Sequence, residues 1–346
     1  MRRFEVKGKA AKKLAGLVLT AALALSAAFS SMAAESAMDV ICAPAGVVQT
    51  PTGELLVTDT YNKVVWKVVG RTSAVYAGTK GVTDLYGEPV GGYNDAQLAE
   101  SLFKEPWGIS PFLDGYAVSD PANNVVRFIK DDGTQTATGK KQAGFANGKG
   151  LKASFNRPTG LATDENGNLF IADTNNNCIR QISTVGQVTT YAENLLEPTG
   201  LCYKNGFLYV AESGRNRIVQ LQNGTPVAAY GTGIEGNADG PVSAAQFSCP
   251  QGVAVSDDGI IYVSDTGNNA VKKIQGGNVT TLLACDQASL EQFPVAPMGL
   301  MVYGSHLYIC DNFSRKLLVI PRELRRKSNS GYKTEPEGNI LRLLLF

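Results

Sequence analysis

Residues 158–182 read PTGLATDENGNLFIADTNNNCIRQI. Three short apolar runs are divided first by Asp-Glu-Asn-Gly (164–167) and then by Thr-Asn-Asn-Asn (174–177). Asn-Gly suits a tight hairpin loop because both residues tolerate positive φ. The spacing predicts a strand, a tight turn, a second strand ending on Asp173, a polar turn and a third strand. An Asp followed by clustered Asn fits a metal loop, a sugar-binding edge or a plain closed turn, so the rest of the chain has to decide between them.

The stretch has five relatives: LLVTDTYNKVVWKV (55–68), YAVSDPANNVVRFI (116–129), LYVAESGRNRIVQL (208–221), IYVSDTGNNAVKKI (261–274) and LYICDNFSRKLLVI (307–320). Alignment puts Asp59, Asp120, Asp173, Glu212, Asp265 and Asp311 in register, with an aliphatic residue six and again nine positions later. Each unit is preceded by Pro-x-Gly and aliphatics (PAGVV, PWGIS, PTGLA, PTGLC, PQGVA, PMGLM), and a fourth short run such as VTTYA or PVAAYG follows most of them. Four short antiparallel strands repeated six times predict an all-β, six-bladed β-propeller, because one blade alone cannot bury its faces.

Three blade-to-blade connectors share a second pattern: GGYNDAQLAESLFKEP (91–106), GFANGKGLKASFNRP (144–158) and GNADGPVSAAQFSCP (236–250). Counting back from Phe103, Phe155 and Phe247, each has a small residue at −2, Asp95, Asn147 or Asp239 at −8, and Gly at −11. The Phe is expected to anchor the loop under the next blade, and Gly with Asn or Asp permits the turns. No GK[ST] precedes a helix, which argues against a phosphate loop. These connectors enter blades 2, 3 and 5 only and should make one rim uneven. Six such repeats, with these connectors, resemble the NHL-repeat family of β-propellers over about residues 41–321. The resemblance implies the fold and leaves function open, since one fold hosts many functions.

Residues 1–33 read as a secretory signal peptide: six cations and one acid, an apolar run from Leu14 to about Phe29, then small residues before Ala33 and Ala34. The apolar run is shorter than the roughly 20 residues of a spanning helix. The mature protein is therefore expected to be secreted or cell-surface associated and not membrane-spanning. The formal net charge of +1 becomes −4 without that segment. Residues 322–346 carry six cations against three acids, which leaves the body at −7. A mildly acidic exported body argues against nucleic acid, which requires a basic face. The six cysteines allow 15 disulfide pairings, and their spacing has no CxxC signature of a zinc site. The lead-in ICAP (41–44) makes blade 1 begin at its inner strand, so blade 6 needs an outer strand from elsewhere. NILRLLLF (339–346), after a basic linker from 322, is the favoured donor, and residues 34–40 are the alternative.

The single histidine, His306, rules out the multi-histidine zinc site of amidating-lyase propellers and any His-based nucleophile activation. Propellers resembling gluconolactonase and paraoxonase hold calcium in the central tunnel, where six to eight oxygens converge. The six registered acids differ from that arrangement in being shared by every blade. Asp59, Asp120, Asp173, Glu212, Asp265 and Asp311 are therefore read as structural, closing turns through backbone amides, with no metal and no cofactor assigned. Residues that vary between blades are the better site candidates. Tyr61, Trp107, Asn123, Asn175, Arg215, Asn268 and Phe313 are read as the ligand face, aromatics and Arg being favoured interface anchors. The expectation is a monomeric, non-catalytic binding or scaffold module for a protein, peptide or cell-envelope glycan. The alternative is a calcium-dependent lactonase- or lyase-like enzyme.

Overall fold

The computed structural model describes residues 41–285 and 294–322. The expected signal segment and the favoured closing strand 339–346 lie outside the described residues, as does the alternative donor 34–40. No helix among the described residues is long and apolar enough to cross a membrane.

Six antiparallel sheets follow one another in chain order. Blade 1 comprises Pro44–Gln49, Leu55–Asp59, Val64–Val69 and Thr72–Ala77. Blade 2 comprises Ile109–Phe112, Gly115–Asp120, Val125–Lys130 and Gly133–Gly139, and blade 3 comprises Pro158–Thr163, Leu169–Asp173, Cys178–Ile182 and Gln187–Ala192. Blade 4 comprises Pro198–Lys204, Phe207–Glu212, Arg217–Gln222 and Thr225–Tyr230, and blade 5 comprises Gly252–Val255, Ile261–Asp265, Ala270–Gln275 and Asn278–Ala284. Blade 6 has three strands among the described residues, Pro297–Tyr303, His306–Asp311 and Lys316–Pro321.

Each blade is apolar on both faces, and the core divides into six clusters, one at each junction between neighbouring blades. Leu56, Val65 and Ile129 pack between blades 1 and 2, and Phe128, Leu161 and Ile171 between blades 2 and 3. Phe170 and Val210 lie between blades 3 and 4, Ile218 and Val263 between blades 4 and 5, and Tyr262 and Ile309 between blades 5 and 6. The sixth cluster closes the ring by packing Val57 and Trp66 of blade 1 against Cys310 and Leu317 of blade 6. The Phe of each decorated connector enters the junction ahead of its blade: Phe103, Phe155 and Phe247 are fully buried there. Ile41, also fully buried, takes that place ahead of blade 1.

The Pro-x-Gly motif has a steric cause. In blades 1, 3, 4 and 6 the Pro pairs with the acid that ends the second strand, and a bulge at x-Gly follows. The bulge presses Gly against the next blade. A Cβ on Gly46 would lie 2.6 Å from the carbonyl oxygen of Trp107. Gly108, Gly160, Gly200, Gly252 and Gly299 meet in the same way the carbonyls of Thr159, Thr199, Gln251, Met298 and Ala45. The series runs once round and returns to blade 1, so these six glycines set the diameter of the ring.

The connectors do more than link blades. Gly148–Lys149 pairs with the outer strand of blade 3, and Gly240–Pro241 with that of blade 5, adding a fifth strand to each sheet. Ala96 bridges Thr134 in blade 2 in the same manner. Each decorated connector thus covers the outer edge of the blade it precedes, an edge that would otherwise expose unpaired N–H and C=O groups.

Candidate functional site

After its second strand the chain makes one tight polar turn per blade, and the residues of that turn divide their work by position. The acid at the strand end is fully buried in all six blades. Asp59 accepts from the backbone N–H of Cys42, Ala43, Tyr61 and Asn62, and from Trp66 Nε1 at 2.9 Å. Asp173 accepts from Asn156 N at 2.7 Å and Asn176 Nδ2 at 2.8 Å, and Asp311 from the amides of Val295 and Ala296. Three positions after the acid, Asn123, Asn176 and Asn268 each donate to it and to a connector carbonyl, Gly92, Gly144 and Gly236 respectively. Four positions after it, Asn124, Asn177, Asn216 and Asn269 hold left-handed φ of 47 to 56°, where Asn is favoured among residues with a side chain. The same hydrogen bonds show that turns and connectors share one face of the ring.

A buried cation underlies each decorated connector. Arg127, Arg180 and Lys272, seven residues after the acids of blades 2, 3 and 5, are fully buried. Arg180 donates to Asp173 at 2.9 Å, to Asn147 Oδ1 at 2.6 Å and to the carbonyls of Ala146 and Ser154. Arg127 donates to Asp95 at 2.6 Å and to the carbonyls of Asn94 and Leu102, with Asp120 at 3.7 Å. Lys272 lies 3.3 Å from Asp239 and 3.6 Å from Asp265, and donates to the carbonyls of Asn237 and Gln246. The anchor Phe of each connector sits under its cation, with 5.0, 5.2 and 5.5 Å from Phe103, Phe155 and Phe247 to the charged group. Asp95 and Asp239 also accept the amides of Thr136 and Thr281 in the outer strands. One cation therefore ties the turn acid, the connector and the blade edge together. Burial pushes the carboxyls of Asp120, Asp173 and Asp265 above the usual range, against the opposing hydrogen bonds and cations.

The structure sorts the seven ligand-face candidates. Tyr61 and Phe313 are exposed, 38% and 75%, both two positions after the acid. Asn175, in the same slot, is exposed and touches Asn156 Oδ1 at 3.3 Å. Asn123 is buried and Asn268 half-buried, each with its amide engaged in the turn, so these two serve the scaffold and not the open surface. Arg215 is drawn onto the buried Glu212, where it is joined by Arg217 at 2.6 Å. Trp107 is half-buried and lies on the central axis. The strand and turn pattern does not flag the nine-residue insertion between Gly78 and Gly92. Bridged at Thr83 and Pro89, it carries Leu85 and Tyr86 at its tip, 100% and 90% exposed. The insertion is visible when the first connector is aligned on Gly92 with the other two.

The axial cavity is small, about 70 Å³, and is lined by the six glycines, aliphatic side chains, Trp107 and Gln251, with no acid among its lining residues. Among the described residues no three His, Cys, Asp or Glu side chains gather as a metal-binding group. None of the six cysteines forms a disulfide among the described residues; burial pushes Cys178 up to about 12 and Cys202 up to about 11, whereas Cys249 is exposed.

The NHL repeat family model matches residues 155–182, 195–221 and 247–274, which are the core strands of blades 3, 4 and 5. NHL repeat-containing protein 2 of Gallus gallus is 43% identical over 68 residues, which is 19% of this chain and 9% of that protein. The match therefore spans a small part of the relative's length. Virginiamycin B lyase from Staphylococcus aureus superposes with a TM-score of 0.54 at 13% identity, over 79% of this chain and 95% of that one. An auxiliary nutrient binding protein from Bacteroides thetaiotaomicron gives 0.59 at 12%, over 80% and 68%. Both share the fold. The NHL repeat is thus recognised in three consecutive blades, and its turn geometry carries through all six blades of the β-propeller.

Proposed function

We propose that the protein is an exported, non-catalytic binding module whose connector face docks a protein or peptide partner. The observation that carries this reading is the set of apolar side chains held out on that face, Tyr61, Leu85, Tyr86, Phe145, Ile234 and Phe313. Exposed apolar side chains on a rigid frame mark interaction surfaces, and the buried cations make the frame rigid before any partner arrives, which lowers the ordering cost of binding. Two further points support binding over catalysis. The axial cavity offers little room and no ionisable side chain. A histidine-to-alanine variant of the staphylococcal lyase is described as catalytically inactive, whereas the one histidine here, His306, is exposed at a strand start.

The test is cross-linking and pull-down from cell envelopes with wild type and a Tyr61→Ala/Tyr86→Ala/Phe313→Ala variant. A partner retained by wild type and lost by the variant is expected; equal retention overturns the proposed face. The calcium-dependent enzyme is the competing reading, and stoichiometric calcium in the purified protein, with a large calcium-dependent rise in Tm, would favour it. A glycan partner would appear as retention on envelope polysaccharide in place of protein.

A further inference from the structure

The opposite face of the ring, formed by the hairpin loops between first and second strands, contains a separate hollow of about 560 Å³ where blades 6, 1 and 2 meet. Ligand pockets fall in the range of roughly 300–1,000 Å³. We infer that this hollow is a ligand site for an uncharged small molecule with a planar apolar ring and a hydrogen-bond donor on one edge. Its walls are the rings of Tyr116, Tyr303, Pro51 and Pro111 with the side chains of Leu113 and Met301. Its polar groups are Gln49, Thr50 and Asp114. Gln49 is tied into its own turn: its Nε2 donates to the carbonyl of Gly53 at 3.1 Å, and its Oε1 is buried. Asp114 is paired with Lys130, so its carboxylate adds acceptors without adding an unmatched charge. The Thr50 hydroxyl is engaged with Glu54, so the accessible acceptor is the exposed Asp114 carboxylate, and no unpaired ion selects a charged ligand.

A second, independent observation singles out the rim. Leu113 and Asp114 form the two-residue loop of a hairpin closed by Phe112 opposite Gly115. Leu113 has φ of 51° and is 58% exposed. The same loop position is Asn205 in blade 4 and Gly304 in blade 6, residue types that accept a left-handed backbone. A branched apolar side chain there is strained, and it gains little burial from the fold. Such strain is retained where a site uses it. Leu113 is placed to cover one side of a ring seated between Tyr116 and Tyr303. The inference stands apart from the connector-face reading, since no residue is shared.

The test uses indole, a planar ring with one N–H donor, against the full chain in titration calorimetry and saturation-transfer NMR. N-methylindole, which lacks the donor, and methyl glucoside, a neutral sugar, are the comparison probes. Indole is expected to bind, and N-methylindole more weakly. Leu113→Gly and Tyr303→Ala are each expected to weaken indole about tenfold, the loss of one buried apolar contact. Leu113→Gly should do so with an unchanged or higher Tm, which separates loss of the site from loss of the fold. Val185→Ala, on an exposed loop of blade 3, should leave binding unchanged. The inference is overturned if indole does not bind, if both rim variants bind it as wild type does, or if methyl glucoside binds more tightly than indole.

Discussion

The three asparagines after Asp173 perform three tasks. Asn175 points outward, Asn176 donates to Asp173 and to a connector carbonyl, and Asn177 takes the left-handed turn while accepting the amide of Glu197. One residue type in a row conceals a division by position: Asn123 and Asn268 sit one place later than Tyr61 and Phe313 and turn their amides to the acid. The buried cations were legible in principle. Arg127, Arg180 and Lys272 follow the acid by seven in the three blades with decorated connectors, whereas Trp66, Val219 and Leu318 occupy that place in the others. Arg180→Ala is expected to cost about 3–5 kcal/mol at pH 7, because it leaves Asp173 buried without its cation. Arg215→Ala, at a side chain 41% exposed, should cost at most about 1 kcal/mol. The cost of Arg180→Ala should also shrink on acidification. The carboxyl of Asp173 is held above its ordinary range in the fold, so the folded state gains from its protonation; this contribution is full below the unfolded value and is lost as pH rises through the folded one. Urea unfolding of both variants at pH 7 and pH 5 measures this, and an Arg180→Ala cost that grows at pH 5 would contradict the assignment.

At the scale of the element, the connectors act as edge covers as well as links. Strand order and turn type could be read from Asn-Gly and Asp-Gly spacing. That the connectors fold back along the outer strands could not, because the paired segments, Gly148–Lys149 and Gly240–Pro241, are two residues long and carry no strand pattern. The link is made by single side chains. Asp239 accepts the amide of Thr281 at 2.7 Å and its hydroxyl at 3.0 Å while facing Lys272. Asp239→Ala is expected to release that edge locally. Amide exchange at Thr281 should rise at least tenfold, while Val263 in the centre of the blade keeps its protection, the mark of local opening below the global unfolding free energy. Equal acceleration at both amides would show that the connector is a global support and not a local clasp.

For the whole molecule, the number of blades follows from the count of acids, but closure does not, since the sequence offers an outer strand for blade 6 at either terminus and both lie outside the described residues. What closes the described ring is packing between blades 6 and 1: the shared core of Val57, Trp66, Cys310 and Leu317, a long contact from Asn312 Nδ2 to the carbonyl of Pro44 at 3.4 Å, and the close approach of Gly299 to Ala45. No peptide bond spans this junction within the described chain, so it is the place where the ring can open without breaking a blade. Gly299→Ala would drive a Cβ into the carbonyl of Ala45. Overpacking of this kind costs about 1–3 kcal/mol, and here the strain falls on the seam. Gly160→Ala makes the equivalent clash with Thr199 between blades 3 and 4, which remain joined by the connector through Leu195. Both variants are therefore expected to lower Tm. Gly299→Ala alone should speed proteolysis near residues 41–44 below Tm, by letting the first strand part from its neighbour. Indistinguishable proteolysis of the two variants would mean that the seam is no weaker than any other junction in the ring.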